Sequence, residues 1–522
     1  MGRARRRDRA RGLDLRARPL ALALDRPRRR GPRGRHTRGA AVNFEYALLI
    51  PEFILAGAAA VVLLVDAFRR ELGVSRRLIP ALAALGAIAA GVASLFFADR
   101  NTDFAGLIGV DDYTLFFRVL FTATVLVVIL GSHEFIERNI RHQGEFYALL
   151  LVSTIGAIYM AGARELLTAY ISIELLSFSL YVAVSLAKDD RRSGEAGLKY
   201  VLLGGVASAM LLYGLSLIYG AAGTTSYEGI AAALGDASVQ GSPVLLLGLA
   251  FLVGGLGFKA SAVPFHMWTP DAYEGAPLPV TAYIAATSKA ATFALLLRLF
   301  GTGLLPVQDD WQWMLATLSV ATMVTGNLVA LVQTNIKRLL AYSSIGQVGF
   351  MLMAITTVSD ASGSALLLHL AGYLVTNLAV FIAVIAVYNR IGSEQIEDFR
   401  GLAETQPYLA LVITTGLFSL SGMPLLAGFV TKFFIFQAAA EEGFLWLSGV
   451  AVIMSTISLY YYLKVIRVMY VVAPAEDGGG RWRPSPLAFG VTGVLFIGIF
   501  VVGLWAAPVL EVADEASAVL FG

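Results

Sequence analysis

The sequence predicts an all-α polytopic membrane protein of about fourteen transmembrane helices. Three observations carry this reading. Only 15% of the 522 residues are charged, where soluble domains have about 25%, and the mean hydropathy is +0.71. Apolar runs of 18 residues or more recur along the chain, each long enough to cross a hydrocarbon layer roughly 30 Å thick as a helix. Short polar segments separate them, as in a compact bundle whose backbone groups are all satisfied internally. Composition also excludes chemistry. There is no cysteine, hence no disulfide, thiolate nucleophile or Cys-ligated zinc or iron–sulfur site, and the five histidines do not cluster at metal-ligand spacing.

The first 42 residues carry 15 Arg, no Lys and 3 Asp, with no apolar core of a secretory signal and no small-residue cleavage site. Such a segment is too polar to bury a core and is expected to be a disordered tail. It reads as an anionic-lipid-binding arm, an organelle transit peptide, or upstream sequence translated from a misassigned start. The charge asymmetry of the loops favours the third, with Val42 as the natural restart. From Phe44 onward, helices are expected near 47–68, 78–97, 112–131, 145–163, 165–187, 195–220, 243–263, 277–301, 313–333, 338–358, 364–388, 407–437, 444–471 and 486–509. Residues 43–144 then hold helices 1–3, 145–303 a first five-helix repeat, 311–471 a second, and 484–510 helix 14.

Loop charge orients the bundle. Loops after odd-numbered helices hold 17 Lys and Arg, Lys337 and Arg338 among them; loops after even-numbered helices hold two, Arg100 and Arg164. The positive-inside rule puts the odd loops in the cytoplasm and both termini outside. A tail with 15 Arg would then have to cross the membrane, which argues for the misassigned start.

Few ionisable residues remain within the spans. Arg118, Lys199, Lys259, Lys289, Arg298 and Lys432 lie there, with Glu174 inside the apolar stretch from Ala169 to Leu180 on helix 5. A charge at a helix centre costs about 2.5–3.5 kcal/mol on insertion scales, so such groups face a partner or a wet cavity. Arg118 and Arg298 read as snorkelling groups or members of a structural pair. One acid and four lysines, Glu174 with Lys199, Lys259, Lys289 and Lys432, exceed what pinning helices requires. Lysine suits proton handling because its affinity for a proton responds to burial, whereas arginine stays charged.

Two helices look interrupted. Helix 7 reads GGLGFKASAVPFHMW, with Gly254, Gly255, Gly257, Lys259 and Pro264; helix 12 reads SLSGMPLLAGFVTKFF, with Gly422, Pro424, Gly428 and Lys432. Broken helices in corresponding positions of two halves mark ion sites in transporters built from inverted repeats, here helices 4–8 and 9–13. His266, just past the first break, is a relay candidate or a hydrogen-bonded structural histidine. His369 shares a helix face with Tyr373 and Asn377 and is a second relay candidate. The glycines at 255 and 257 mimic a dinucleotide fingerprint, but no strand precedes them and they lie within a membrane helix.

The stretch KASAVPFHMWTPDAYEGAPLPVTAYIAATSK, Lys259 to Lys289, closely resembles the antiporter-like subunits of proton-pumping NADH:quinone oxidoreductase (respiratory complex I). NLVALVQTNIKRLLAYSSIGQVGFMLMA, Asn327 to Ala354, follows the same family pattern, and the resemblance spans roughly residues 43–510. Within the family it resembles the subunit N branch: Lys289 stands where the largest such subunit usually has histidine, and Lys432 where the M branch has glutamate. There is no room for the long lateral C-terminal helix of the largest subunit. The resemblance implies Glu174 and Lys259 as a charge pair, Lys289 as central relay, Lys432 as second-half proton site, and Lys199 as a further lysine of the set. The Arg-rich tail departs from the bacterial pattern.

The function expected on this basis is redox-driven proton translocation in a bacterial inner membrane. A subunit of a multisubunit sodium/proton antiporter is the alternative, and a purely structural membrane scaffold a third. No segment reads as a site for NADH, FMN or a cluster, so FMN and iron–sulfur clusters are expected in partner subunits. The expected partners are neighbouring antiporter-like and small membrane subunits and the lipid bilayer, with no nucleic acid.

Overall fold

The computed structural model describes residues 45–521 except 74, 99, 237, 238 and 475–479. The Arg-rich tail of residues 1–42 therefore lies outside the described residues. Thirteen helices among the described residues are long and apolar enough to cross a membrane. In chain order the spans are α1 (Ile50–Leu72), α2 (Leu78–Leu95), α3 (Asp112–Gly131), α4 (Gln143–Gly162), α5 (Leu166–Val184) and α6 (Arg191–Ala222). The broken α7 follows, as α7a (Pro243–Ala260) and α7b (Trp268–Gly275). Next come α8 (Leu278–Gly303), α9 (Gln308–Ala330), α10 (Ile336–Thr356) and α11 (Asp360–Ile391). The fourteenth expected span is the second broken helix, α12a (Pro407–Ser421) and α12b (Ala427–Glu441); α13 (Leu445–Tyr470) and α14 (Pro486–Leu504) complete the bundle.

Local sequence explains most boundaries. Side chains of Asp111, Ser242, Asn335 and Ser485 accept first-turn N–H groups of α3, α7a, α10 and α14, satisfying donors that have no intrahelical partner. Proline opens α7a, α12a and α14, where its missing N–H costs nothing.

The all-α bundle carries one small addition, and one boundary needs correction. Thr102–Phe104 (β1) pairs antiparallel with Ile108–Val110 (β2), a hairpin in the loop between α2 and α3. Its three-residue strands are too short to show an alternating pattern in the sequence. The last span stops at Leu504 rather than running to 509, because Pro508 cannot continue a helix interior and instead helps to start a separate helix, Ala507–Ala518.

The inverted relationship of the two five-helix units is visible in hydrogen bonds. At the start of α5, Leu166 N–H donates to Thr225 O (3.0 Å) and Tyr227 N–H to Arg164 O (3.0 Å). At the start of α10, Ile336 N–H donates to Glu394 O (2.9 Å) and Ile396 N–H to Thr334 O (2.8 Å). The same two-bond bridge thus joins equivalent segments, on the even-loop face in the first unit and the odd-loop face in the second. α6 and α11 are both 32 residues long and end on left-handed glycines, Gly223 (φ 72°) and Gly392 (φ 69°).

Both breaks are the same helix termination. Ser261 N–H donates to Phe258 O and Ala262 N–H to Gly257 O; Gly422 N–H donates to Ser419 O and Met423 N–H to Phe418 O. This crossed pair of bonds, about a residue with positive φ, is a Schellman ending. Burial then sorts the helices: α8, α10 and α11 lie almost wholly inside the bundle, while α6, α13 and α14 are mostly peripheral.

Candidate functional site

Lys259 ends α7a just before the break. It is 4% exposed, and its ammonium donates to Ser177 Oγ on α5 (2.7 Å). Tyr200 and Trp268 stack beside it with ring centroids 4.3 Å apart, and the indole N–H also donates to Phe258 O (2.8 Å), the carbonyl that accepts Ser261 N–H at the break. Glu174, half-buried and one turn before Ser177 on α5, accepts instead from Ser208 Oγ of α6 (2.6 Å). Glu174 and Lys259 therefore share no direct hydrogen bond or salt bridge in this structure. Ser177 takes the ammonium and Ser208 the carboxylate, and the two charges still act on each other electrostatically.

Lys289 follows a π-helical turn, Ile284–Ser288, in α8. It is 1% exposed, and among the described residues no protein atom hydrogen-bonds its Nζ, which lies 6.0 Å from the centre of the Tyr273 ring. Thr287 and Ser288 hydroxyls beside it are likewise without protein partners. Such a turn leaves backbone groups out of register and concentrates at functional sites. Here Tyr373 of α11 donates to the Ala285 carbonyl in the turn (3.1 Å).

One helical turn away on α11, His369 stacks against Tyr373 and its Nδ1 is 2.9 Å from Thr431 Oγ1 of α12b. Lys432 is adjacent and 3% exposed. Its Nζ donates to Leu420 O (2.7 Å), a carbonyl freed where α12a ends, and to Ser455 Oγ on α13 (3.1 Å). Gln347 of α10 donates to the same carbonyl (2.9 Å). A cavity of about 10 Å³, room for one water, lies between His369, Gln347 and Lys432. α7a, α8, α11 and α12b pack in series, and Lys259, Lys289, His369 and Lys432 are each buried on them.

Other sequence candidates fall outside that series. Lys199 is exposed, not buried: it sits two turns into α6 from the odd-loop face, paired with Glu195 (2.8 Å) and Asp271 (3.1 Å). His266 lies part-exposed in the break and has no side-chain bond to either lysine. Arg118 and Arg298 are structural. Arg118 pairs with Glu52 (2.8 Å), and Arg298 grips both carboxylate oxygens of Asp111 (2.9 and 2.8 Å).

Charge counting missed a cluster on the odd-loop face. Arg338 bridges Asp271 (3.1 Å) and Glu274 (2.9 Å) of α7b. Lys337, counted as a loop residue, is 3% exposed in the first turn of α10, bonded to Glu394 (2.6 Å) and Ala276 O (2.9 Å). A lysine next to a capping asparagine reads as a solvated helix start. Only the tertiary fold shows that the loops after α7 and α11 close over it.

Two units with matching breaks, and lysines buried without carboxylate partners, define an antiporter-like membrane protein. The family described as NADH:quinone oxidoreductase/Mrp antiporter, TM, matches residues 163–458. NADH-quinone oxidoreductase subunit N of Heliobacterium modesticaldum is 40% identical over 482 residues, covering 91% of this chain and 100% of the relative. Among solved structures, a chain of respiratory complex I from Thermus thermophilus is 31% identical with a TM-score of 0.73, covering 88% of this chain and 99% of its own. A chain of the Mrp complex from Dietzia sp. shares the fold alone, at 21% identity and a TM-score of 0.79, covering 91% and 97%. The chain belongs to the NADH:quinone oxidoreductase/Mrp antiporter family.

Proposed function

We propose that the chain is a proton-translocating membrane subunit of an NADH-quinone oxidoreductase, of the subunit N type, in a bacterial inner membrane. The observation that carries this reading is the series of lysines on α7a, α8 and α12b, each buried and none bonded to a carboxylate. Uncompensated buried ammonium groups are costly, and a scaffold gains nothing from three of them. The relatives' names and the 31% identity to a complex I chain favour this over the sodium/proton antiporter alternative.

The loop bias of 17 to two supports a cytoplasmic odd-loop face, with both ends of the bundle outside. Electron transfer from NADH to quinone, with FMN and iron–sulfur clusters, is assigned to partner subunits; this chain moves the proton. Half-buried Glu174 is within reach of a neighbouring membrane subunit. A charge change there alters the field on Lys259 and drives a proton from Lys289, past Tyr373 and His369, to Lys432, which releases it outside. Moving one charge against about 150 mV takes about 3.5 kcal/mol. Two unit charges about 4 Å apart interact by about 4 kcal/mol at an effective dielectric constant near 20, so one local charge displacement supplies a push of the needed size.

The test is proton uptake per NADH oxidised in inverted membrane vesicles, in sodium-free medium. Wild-type complex should pump fully there, and Lys432→Ala should assemble yet take up fewer protons per NADH. Uptake that requires sodium would favour the antiporter alternative. Full pumping by an assembled Lys432→Ala complex would favour the scaffold.

A further inference from the structure

A cavity of about 720 Å³ opens on the odd-loop face. The loops after helices 3, 5, 7 and 11 line it together with the end of α7b and the start of α10, including Arg141, Asp190, Glu274, Lys337 and Glu394. At its floor lies the ion pair of Lys337 and Glu394 (2.6 Å), in which Lys337 is 3% exposed. The same ammonium donates to Ala276 O (2.9 Å), at the turn that starts α8 and so leads to Lys289. This one amine therefore ties the second unit to the α7b–α8 connection of the first, in contact with the cavity on one side. On the other side, Ser344 lies two turns deeper on the same face of α10, seven residues after Lys337. The Tyr273 hydroxyl lies near Ser344 with no hydrogen bond formed between them in this structure, and the Tyr273 ring faces Lys289.

Resting on the proposed function above, we infer that this cavity is the cytoplasmic proton intake, and that Lys337 and Glu394 are its gating pair, passing protons by way of Ser344 and Tyr273 to Lys289. A proton arriving from the cavity protonates the Glu394 carboxylate and frees the Lys337 ammonium from its partner. The ammonium then passes its own proton inward, towards Ser344, and the amine is recharged from the protonated Glu394. The pair returns to its starting charges, and one proton has moved from cavity to interior. A purely structural tie across the two units would need only the hydrogen bond and the positive charge, not an exchangeable proton.

Two substitutions separate these roles. Glu394→Gln keeps a carbonyl acceptor for Lys337 but cannot take a proton. Lys337→Arg keeps the charge and the donors but cannot release a proton. In inverted vesicles holding the assembled complex, both variants should lower proton uptake per NADH to the level of Lys289→Ala. As an independent reading, Ser393→Cys at the cavity rim should pump normally until a bulky charged thiol reagent is added on the cytoplasmic face, and the reagent should spare wild-type vesicles. If Lys289→Ala loses pumping while both pair variants pump at the wild-type ratio, the intake is elsewhere and the proposed function stands. If Lys289→Ala itself pumps normally, the proposed function fails. Should either pair variant fail to assemble, the thiol block decides: uptake by the Ser393→Cys complex that is unaffected by full labelling overturns the intake.

Discussion

Gly428→Ala tests whether the second break positions Lys432. Gly428 is the second residue of α12b, and its backbone N–H donates to Ser419 Oγ of α12a (3.0 Å). A Cβ there would drive into the Ser419 carbonyl oxygen and lie 2.7 Å from its carbonyl carbon. Alanine favours a helix over glycine by about 1 kcal/mol, so on propensity alone the change is mildly stabilising. Overpacking costs typically about 1–3 kcal/mol, and the obstacle here is backbone, which no side-chain rotation relieves. The clash should win, by an amount at or above the top of that range unless α12b slides away from α12a. Sliding would carry Lys432 from Leu420 O, its 2.7 Å acceptor on α12a. The control is Gly449→Ala, where the added Cβ meets nothing within 4 Å. The assay pairs proton uptake per NADH with the fraction of complex surviving graded heating on native gels. Gly449→Ala should match wild type in both; Gly428→Ala should lose uptake, thermal survival or both. Wild-type values in both for Gly428→Ala would refute the argument that this close approach sets the lysine.

Asp111→Asn should cost about 3–5 kcal/mol by leaving the buried Arg298 guanidinium without its counter-charge, whereas Asp111→Asn with Arg298→Met, which keeps a capping side chain on α3, should recover much of the loss, read as steady-state subunit level in membranes. For topology, Ser75→Cys and Glu442→Cys in this cysteine-free chain should label only from the cytoplasm and only from outside, respectively; labelling of the Ser75→Cys variant from outside in sealed cells would reverse the orientation. Ser177→Ala removes the side-chain acceptor that Lys259 has on α5 and should slow proton uptake without loss of assembly, while unchanged uptake would show that Glu174 alone sets that amine.

Much of this architecture was legible in sequence because hydrocarbon imposes a simple rule on long apolar runs. α3 runs over the residues expected, and both breaks lie at the glycine–proline clusters of helices 7 and 12. The buried lysines were legible for the same reason: an ammonium in an apolar span is conspicuous. What escaped depends on tertiary closure. Lys199 and Lys337 each lie near the odd-loop end of a span, yet one is exposed beside Asp271 and the other is sealed under two loops. No local pattern separates them. The π-helical turn before Lys289 has no composition signal in IAATS, since it is fixed from outside by packing and by the Tyr373 hydroxyl. Glu174 and Lys259 were legible as a charge pair, but the serines that take each of them, Ser208 and Ser177, are small residues whose role appears only when α5, α6 and α7a pack together.

In the proposed mechanism Lys289 passes on a proton instead of merely holding a charge. Its most direct test compares Lys289→Ala and Lys289→Arg with wild type, as proton uptake per NADH oxidised in inverted vesicles, with assembly checked on native gels. Arginine retains the positive charge and most of the bulk but cannot release its proton at accessible pH. Both assembled variants should fall well below the wild-type ratio, arginine no better than alanine. An assembled Lys289→Ala complex that pumps at the wild-type ratio would contradict it.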